Sequence, residues 1–207
     1  MSGKCAIFCG GDPVSSGTVS LDHTDEHINI AADSGYLLAQ RLGISLDLII
    51  GDFDSAEKPQ FKNVKVYPVE KDDTDLMLAV KEGLARGCDS FVIYGATGGR
   101  LDHTYAAIQS LAYLLDHGAQ GVIVSDNERI ELLDRGEYFY PAAEGMTLSL
   151  FAFSDKVEGL TVHGAKYEAE DVELSSGFPL GVSNSVSDGI AEIGFKSGRL
   201  LAIRSKL

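Results

Sequence analysis

Aspartates recur just past the ends of apolar runs in this chain. Asp33 follows His27–Ala32, Asp52 and Asp54 follow Asp47–Ile50, and Asp72, Asp73 and Asp75 follow Val64–Val69. Asp102 stands two residues beyond Arg100 in the run Ala96-Thr97-Gly98-Gly99-Arg100-Leu101-Asp102-His103. Carboxylates brought to one place repel each other unless a cation lies between them. Hard oxygen donors with no His/Cys cluster suit Mg2+ rather than zinc. That ion takes one or two protein carboxylates and completes its shell with water and phosphate oxygens. Arg100, in a glycine-rich loop entering a helix, supplies positive charge for phosphate. These parts fit phosphoryl-type transfer from a nucleotide, where positioning and charge neutralisation supply most of the catalysis. Neither Gly-x4-Gly-Lys-[Ser/Thr] nor Gly-x-Gly-x-x-Gly occurs, so the P-loop and dinucleotide fingerprints do not apply.

The elements that must position these residues alternate. Lys4–Phe8 reads as a buried strand, with Cys9-Gly10-Gly11-Asp12-Pro13 as the turn after it. His27–Ala32 and Asp47–Ile50 are further strands, with a short helix over Tyr36–Leu42 between them. Val64–Val69 is a fourth strand, which by Pro68 either leaves the sheet there or lies near an edge. Met77, Val80 and Leu84 define one face of a helix stopped by Gly87, and Phe91–Tyr94 a strand. Tyr105, Ile108, Leu111 and Leu115 make the stripe of the next helix, closed by Gly118, and Gly121–Ser125 is the last strand of the series. Such alternation predicts an α/β domain over 1–126 with a mostly parallel, doubly wound sheet. Open parallel sheets bind ligands beyond the carboxyl ends of their strands, so the acidic and glycine loops are expected on one edge.

From Asn127 the helical period vanishes. Thr147–Phe153, Gly159–Tyr167, Gly189–Phe195 and Leu200–Ile203 alternate between turn-rich segments, and Lys196-Ser197-Gly198-Arg199 reads as a hairpin turn. The expectation for 127–207 is a small all-β, sandwich-like domain.

Composition narrows the classes of function. Seventeen basic against thirty-one acidic residues give a net charge of −14, which disfavours nucleic acid and favours a cationic small molecule. No apolar run reaches about 18 residues, so no membrane span is expected. The start of the chain has no signal-peptide pattern, and three sparse cysteines lack metal-site spacing, which together suggest a cytoplasmic protein with reduced thiols.

Each motif also has a plain structural reading. Asp52 and Asp54 could form an Asx turn; Asp73, Thr74 and Asp75 could cap a helix; Arg100 and Asp102 could be a surface ion pair; and His103 is read as facing solvent. A ligand-binding sensor without turnover, or a Mg2+-dependent transferase or hydrolase on the same α/β domain, would use the same residues.

In order along the chain, Ala32-Asp33-Ser34-Gly35, Gly51-Asp52-Phe53-Asp54-Ser55, Asp72-Asp73-Thr74-Asp75, Gly98-Gly99-Arg100-Leu101-Asp102-His103 and Gly181-Val182-Ser183-Asn184 resemble the thiamine pyrophosphokinase family. The resemblance spans nearly the whole chain and implies an α/β catalytic domain joined to a β domain. It implies transfer of the pyrophosphoryl group of ATP to the hydroxyl of thiamine, giving thiamine diphosphate and AMP. Asp52, Asp54 and Asp75 would hold Mg2+, with Asp72 supporting them, Arg100 meeting the triphosphate and Asp102 orienting it or the loop. Gly10, Gly11, Asp33, Ser34, Thr74, Thr97, Gly98, Gly99 and Arg100 would line the nucleotide. The likeness also implies a homodimer with a shared active site, in which Ser183 and Asn184 complete the thiamine pocket of the neighbouring subunit. Some relatives stack thiamine on a Trp of the β domain; this chain has no Trp. The general base is left open, with a carboxylate of the acidic cluster as the candidate.

Overall fold

The computed structural model describes residues 3–20, 27–53 and 60–207; Asp54 and Ser55 lie outside the described residues. Two compact units make up the chain, Met1–Asp126 and Asn127–Leu207.

In the first unit the order is β1 (Gly3–Phe8), β2 (His27–Ala32), α1 (Gly35–Arg41), β3 (Leu48–Gly51), β4 (Val64–Val66), α2 (Asp75–Ala85), β5 (Cys88–Tyr94), α3 (Leu101–Asp116) and β6 (Gln120–Val124). The strands lie side by side as β6-β5-β1-β2-β3-β4, and every pairing among them is parallel. Successive strands run outward from β1 to β4, and the chain then returns to place β5 on the other side of β1. The strand order therefore reverses between β1 and β5, and loops on either side of that seam diverge to leave a crevice. The central strands are apolar on both faces because both faces are covered: Cys5, Ala6, Ile7 and Phe8 are all buried, and the Phe8 and Tyr94 rings stack at 5.5 Å. β4 is short and at the edge, and Pro68 follows its end.

The helix faces differ in detail from the apolar stripes. In α3 the buried residues are Ala107, Ser110, Leu111 and Leu114, while Tyr105 is 59% exposed. Gly121 explains the offset: a Cβ there would lie 2.5 Å from Leu114 Cδ1 and 2.9 Å from Leu111 Cδ2, so these two leucines occupy the space over a bare strand position. In α2 the buried line is Ala79, Val80 and Gly83, with Met77 and Leu84 only half-buried. Small residues on both helices permit close packing on the sheet.

The second unit contains β7 (Glu128–Leu133), β8 (Gly136–Pro141), β9 (Met146–Ala152), β10 (Lys156–His163), β11 (Ala169–Ser175), β12 (Gly181–Asn184), β13 (Ile190–Phe195) and β14 (Leu200–Lys206). These form two antiparallel groups, β12-β9-β14-β7 and β11-β10-β13-β8. Leu148, Leu150, Leu200 and Ala202 from one meet Val157, Leu160, Val162, Ile193 and Phe195 from the other in a single core, which makes the unit a sandwich. One expectation is overturned here. The turn at Lys196–Arg199 does not close a hairpin, because β13 is paired on both edges by β8 and β10, and β14 belongs to the other sheet. β7, β8, β11 and β12 add to the four segments read from periodicity.

Gly35 seats the start of α1 against the end of β1. A Cβ at this position would lie 1.9 Å from Phe8 O and 2.4 Å from its carbonyl carbon, and backbone cannot retreat as a side chain would. Gly35→Ala should therefore cost about 1–3 kcal/mol or more in urea denaturation. An unchanged midpoint would contradict this packing.

Candidate active site

Backbone hydrogen bonds stitch the crevice walls together. Cys9 N donates to Tyr94 O at 2.8 Å, Gly11 N to Gly95 O at 2.7 Å and Asp12 N to Thr97 O at 2.8 Å, joining the loop after β1 to the loop after β5. Asp33 N donates to Ile50 O at 2.7 Å and ties the loop after β2 to β3. The result is a cleft of about 390 Å³ whose lining includes Gly10, Gly11, Asp33, Ser34, Thr74, Asp75, Gly98, Gly99, Arg100 and His103. Thr74 caps α2 by accepting from Met77 N at 3.1 Å, so its side chain is committed to the helix. Residues at the N-termini of both α2 and α3 line the cleft, which favours an anion there. Gly98 and Gly99 have φ of 81° and 60°, and this left-handed pair turns the loop into α3. Cys9 also lines the cleft, but burial, helped by Asp75, pushes its thiol up to about 12, so it stays protonated.

The acidic residues separate into two groups. Asp33, Asp52 and Asp75 each offer an oxygen within 4.8 Å of the others. Burial raises the Asp75 carboxyl above its ordinary value, and Asp52 and Asp33 add to the effect while Lys71 opposes it. Asp33 Oδ1 and Asp75 Oδ1 are buried with no hydrogen-bond partner among the described residues. Carboxylate oxygens gathered so closely are costly in a protein alone and are the donor set of a hard divalent cation. The residues fit such an ion.

Lys71 reaches into this cluster. Its Nζ donates to Asp52 Oδ2 at 2.6 Å and forms an ion pair with Asp75 Oδ1 at 3.0 Å. The side chains of Lys71, Asp52 and Asp75 are only 14%, 14% and 19% exposed. Burial would lower the Lys71 ammonium, but its contacts with Asp52 and Asp75 outweigh that and hold it above its ordinary value.

Asp72 is exposed and belongs neither to the carboxylate cluster nor to the cleft lining. Asp73 turns to Lys81, at 2.7 and 2.8 Å, and so ties the acidic loop to α2. Arg100 is gripped by Asp102 through two bonds, at 2.6 and 3.1 Å, and both side chains are exposed at the start of α3. Asp102 thus sets the direction of the guanidinium. His103 is exposed, as read, yet it stands on the cleft wall. Thr97 is buried beside the lining glycines. In the second unit Ser183 is exposed, whereas Asn184 is 8% exposed and spends its amide on the backbone of Tyr167, accepting from N at 2.9 Å and donating to O at 2.7 Å.

Asp33, expected along the nucleotide, lines the cleft and also stands within 4.8 Å of Asp52 and Asp75. Lys71, four residues before Asp75, is a member of the site that the sequence motifs do not single out. Asp33, Phe53 and Ser183 adopt φ of 49°, 54° and 59°, a strained conformation for residues other than glycine. Such strain collects where function over-determines the backbone.

A parallel sheet with acidic loops, two helix N-termini and an arginine around one strand-end cleft defines an α/β enzyme acting on a phosphorylated nucleotide. Residues 22–123 match the thiamin pyrophosphokinase catalytic domain, and residues 133–200 the thiamin pyrophosphokinase vitamin B1 binding domain. Thiamine pyrophosphokinase from Bacillus subtilis (strain 168) is 31% identical over 192 residues, covering 88% of this chain and 90% of the relative. The crystal structure of the Bacillus subtilis thiamine pyrophosphokinase superposes with a TM-score of 0.87 at 27% identity, covering 99% of each chain. That of the Geobacillus thermodenitrificans thiamin pyrophosphokinase gives 0.83 at 25%, covering 99% of this chain and 98% of the other. The chain belongs to the thiamin pyrophosphokinase family.

Removing one carboxylate should relieve repulsion within the cluster. In the presence of chelator, Asp33→Asn is expected to raise stability by about 1 kcal/mol, since Asn also tolerates the left-handed backbone. A lower melting temperature would show that Asp33 is stabilising on its own.

Proposed function

We infer that this chain is a thiamine diphosphokinase that transfers the pyrophosphoryl group of ATP to the hydroxyl of thiamine, giving thiamine diphosphate and AMP. The observation that carries the site reading is the Asp33–Asp52–Asp75 cluster, within 4.8 Å, at the edge of a cleft that also holds Arg100 and two helix N-termini.

In this reading the thiamine hydroxyl oxygen attacks the β-phosphorus of ATP in line. The bond from the β-phosphorus to the oxygen bridging it to the α-phosphorus breaks, and AMP leaves with that oxygen. The hydroxyl proton passes to a carboxylate of the cluster. Asp33, Asp52 and Asp75 would hold Mg2+, together with Asp54 as the sequence resemblance implies, and the ion when bound neutralises polyphosphate charge. Arg100, aimed by Asp102, meets the triphosphate; Gly99 leaves open space beside its backbone, while the bare position at Gly98 is occupied by the Asp12 carboxylate. Gly10, Gly11, Ser34 and Thr97 shape the nucleotide side of the crevice. Asp72, exposed and outside the cluster, has no part in this reading. Little covalent chemistry is asked of the protein, so these roles are positioning and charge.

The net charge of −14 suits a cationic thiazolium and leaves ATP to approach as its metal complex. The functional unit is a homodimer in which Ser183 and Asn184 of one subunit complete the thiamine pocket of the other. Ser183 offers an exposed hydroxyl; Asn184 acts by fixing the Tyr167 backbone beside it. The cytoplasm is the compartment that suits three free cysteines; among the described residues no helix is long and apolar enough to cross a membrane.

Incubation with thiamine, ATP and Mg2+ should yield thiamine diphosphate and AMP in equal amounts by chromatography. ADP or free pyrophosphate in place of AMP would overturn the reaction.

A further inference from the structure

A cationic side chain already stands where the carboxylates converge. Lys71 Nζ lies 2.6 Å from Asp52 Oδ2 and 3.0 Å from Asp75 Oδ1, and all three side chains are largely withdrawn from solvent. We propose that Lys71 is a built-in counter-ion that competes with the divalent cation for the carboxylate cluster, holding the acids together without it and weakening its binding until polyphosphate arrives. This rests on reading the cluster as a divalent-cation site.

The argument is electrostatic. Asp33, Asp52 and Asp75 bring three carboxylates into one small volume, and Asp33 Oδ1 has no hydrogen-bond partner among the described residues. One ammonium offsets part of that charge and so lets the loops after β2, β3 and β4 close on one another. A divalent cation coordinated by the same carboxylates sits about 2 Å from their oxygens, a few ångströms from the ammonium, and the two repel in a partly desolvated place. Metal alone is therefore held weakly. Polyphosphate changes the balance because it brings further negative charge into the cleft, next to Thr74 and Asp75. The ammonium can then turn to a phosphate oxygen while the cation takes the carboxylates. The long, flexible stem of lysine suits that exchange better than the rigid fork of arginine. Lys71 would thus couple entry of the metal to entry of the nucleotide, acting through the cluster as a positioning residue.

The test uses Mn2+ alone, followed by electron paramagnetic resonance, together with melting temperature in chelator and in excess Mn2+. Lys71→Met should bind Mn2+ about tenfold tighter than the parent, because a neighbouring like charge is gone. Its melting temperature should fall in chelator and be restored by Mn2+. Lys71→Gln, which keeps a donor at the position, should give the same tightening and covers the case in which Lys71→Met does not fold. Lys71→Arg should stay as weak as the parent. Unchanged or weaker Mn2+ binding in both neutral variants would overturn the proposal and make Lys71 a plain structural ion pair. The underlying reading fails separately: if the parent and Asp52→Asn bind Mn2+ alike, the cluster is not the cation site, and Lys71 has nothing to compete with.

Discussion

Three carboxylates held within 4.8 Å of each other are a constraint before they are a site. Their mutual repulsion opposes folding, and water cannot screen it well where the side chains are mostly covered. Each comes from a different loop, after β2, after β3 and at the start of α2, so no local sequence preference brings them together. Only the parallel sheet does. Its strands point the same way and deliver their following loops to one edge, whatever those loops contain. The energy that gathers the acids is therefore the burial of residues such as Ile7, Ile30, Ile50 and Ile93 beneath them.

Precision at that edge comes from backbone contacts. The loops after β1 and β5 are joined by hydrogen bonds from Cys9, Gly11 and Asp12, and α1 abuts Phe8 at Gly35 with no room for a methyl group. The positive charges at this edge, Lys71 and Arg100, are instead carried on long side chains that are each paired to aspartate, Lys71 with Asp52 and Asp75 and Arg100 with Asp102. In the sandwich unit, buried Asn184 spends its amide on the chain at Tyr167, while Ser183 is exposed.

Much of this was legible in the residues. Alternation of apolar runs with helical stripes predicts the parallel sheet, and the aspartates past the strands point to the edge where Asp33, Asp52 and Asp75 meet. Side-chain contacts across space were not legible. Nothing in the stripe Tyr105, Ile108, Leu111 and Leu115 reveals that Gly121 would draw Leu114 and Leu111 inward and leave Tyr105 out. The β unit suffered similarly: β11 reads Ala-Glu-Asp-Val-Glu-Leu-Ser, too acidic for an apolar alternation, yet it pairs with β10 and buries Leu174. The turn at Lys196–Arg199 looked like a hairpin because turn chemistry is local, while the sheet to which the next strand belongs is not. The places of Asp33 and Lys71 in the cluster are not legible for the same reason, as they depend on which neighbours reach them.

If folding gathers these acids around a cation that also grips polyphosphate, one ion must touch both. Anomalous scattering from crystals grown with Mn2+ and a non-cleavable α,β-methylene analogue of ATP would locate it. A single strong peak bounded by Asp33, Asp52 and Asp75 and touching phosphate oxygens is the predicted result. A peak on phosphate alone, with those side chains turned away from it, would contradict the account.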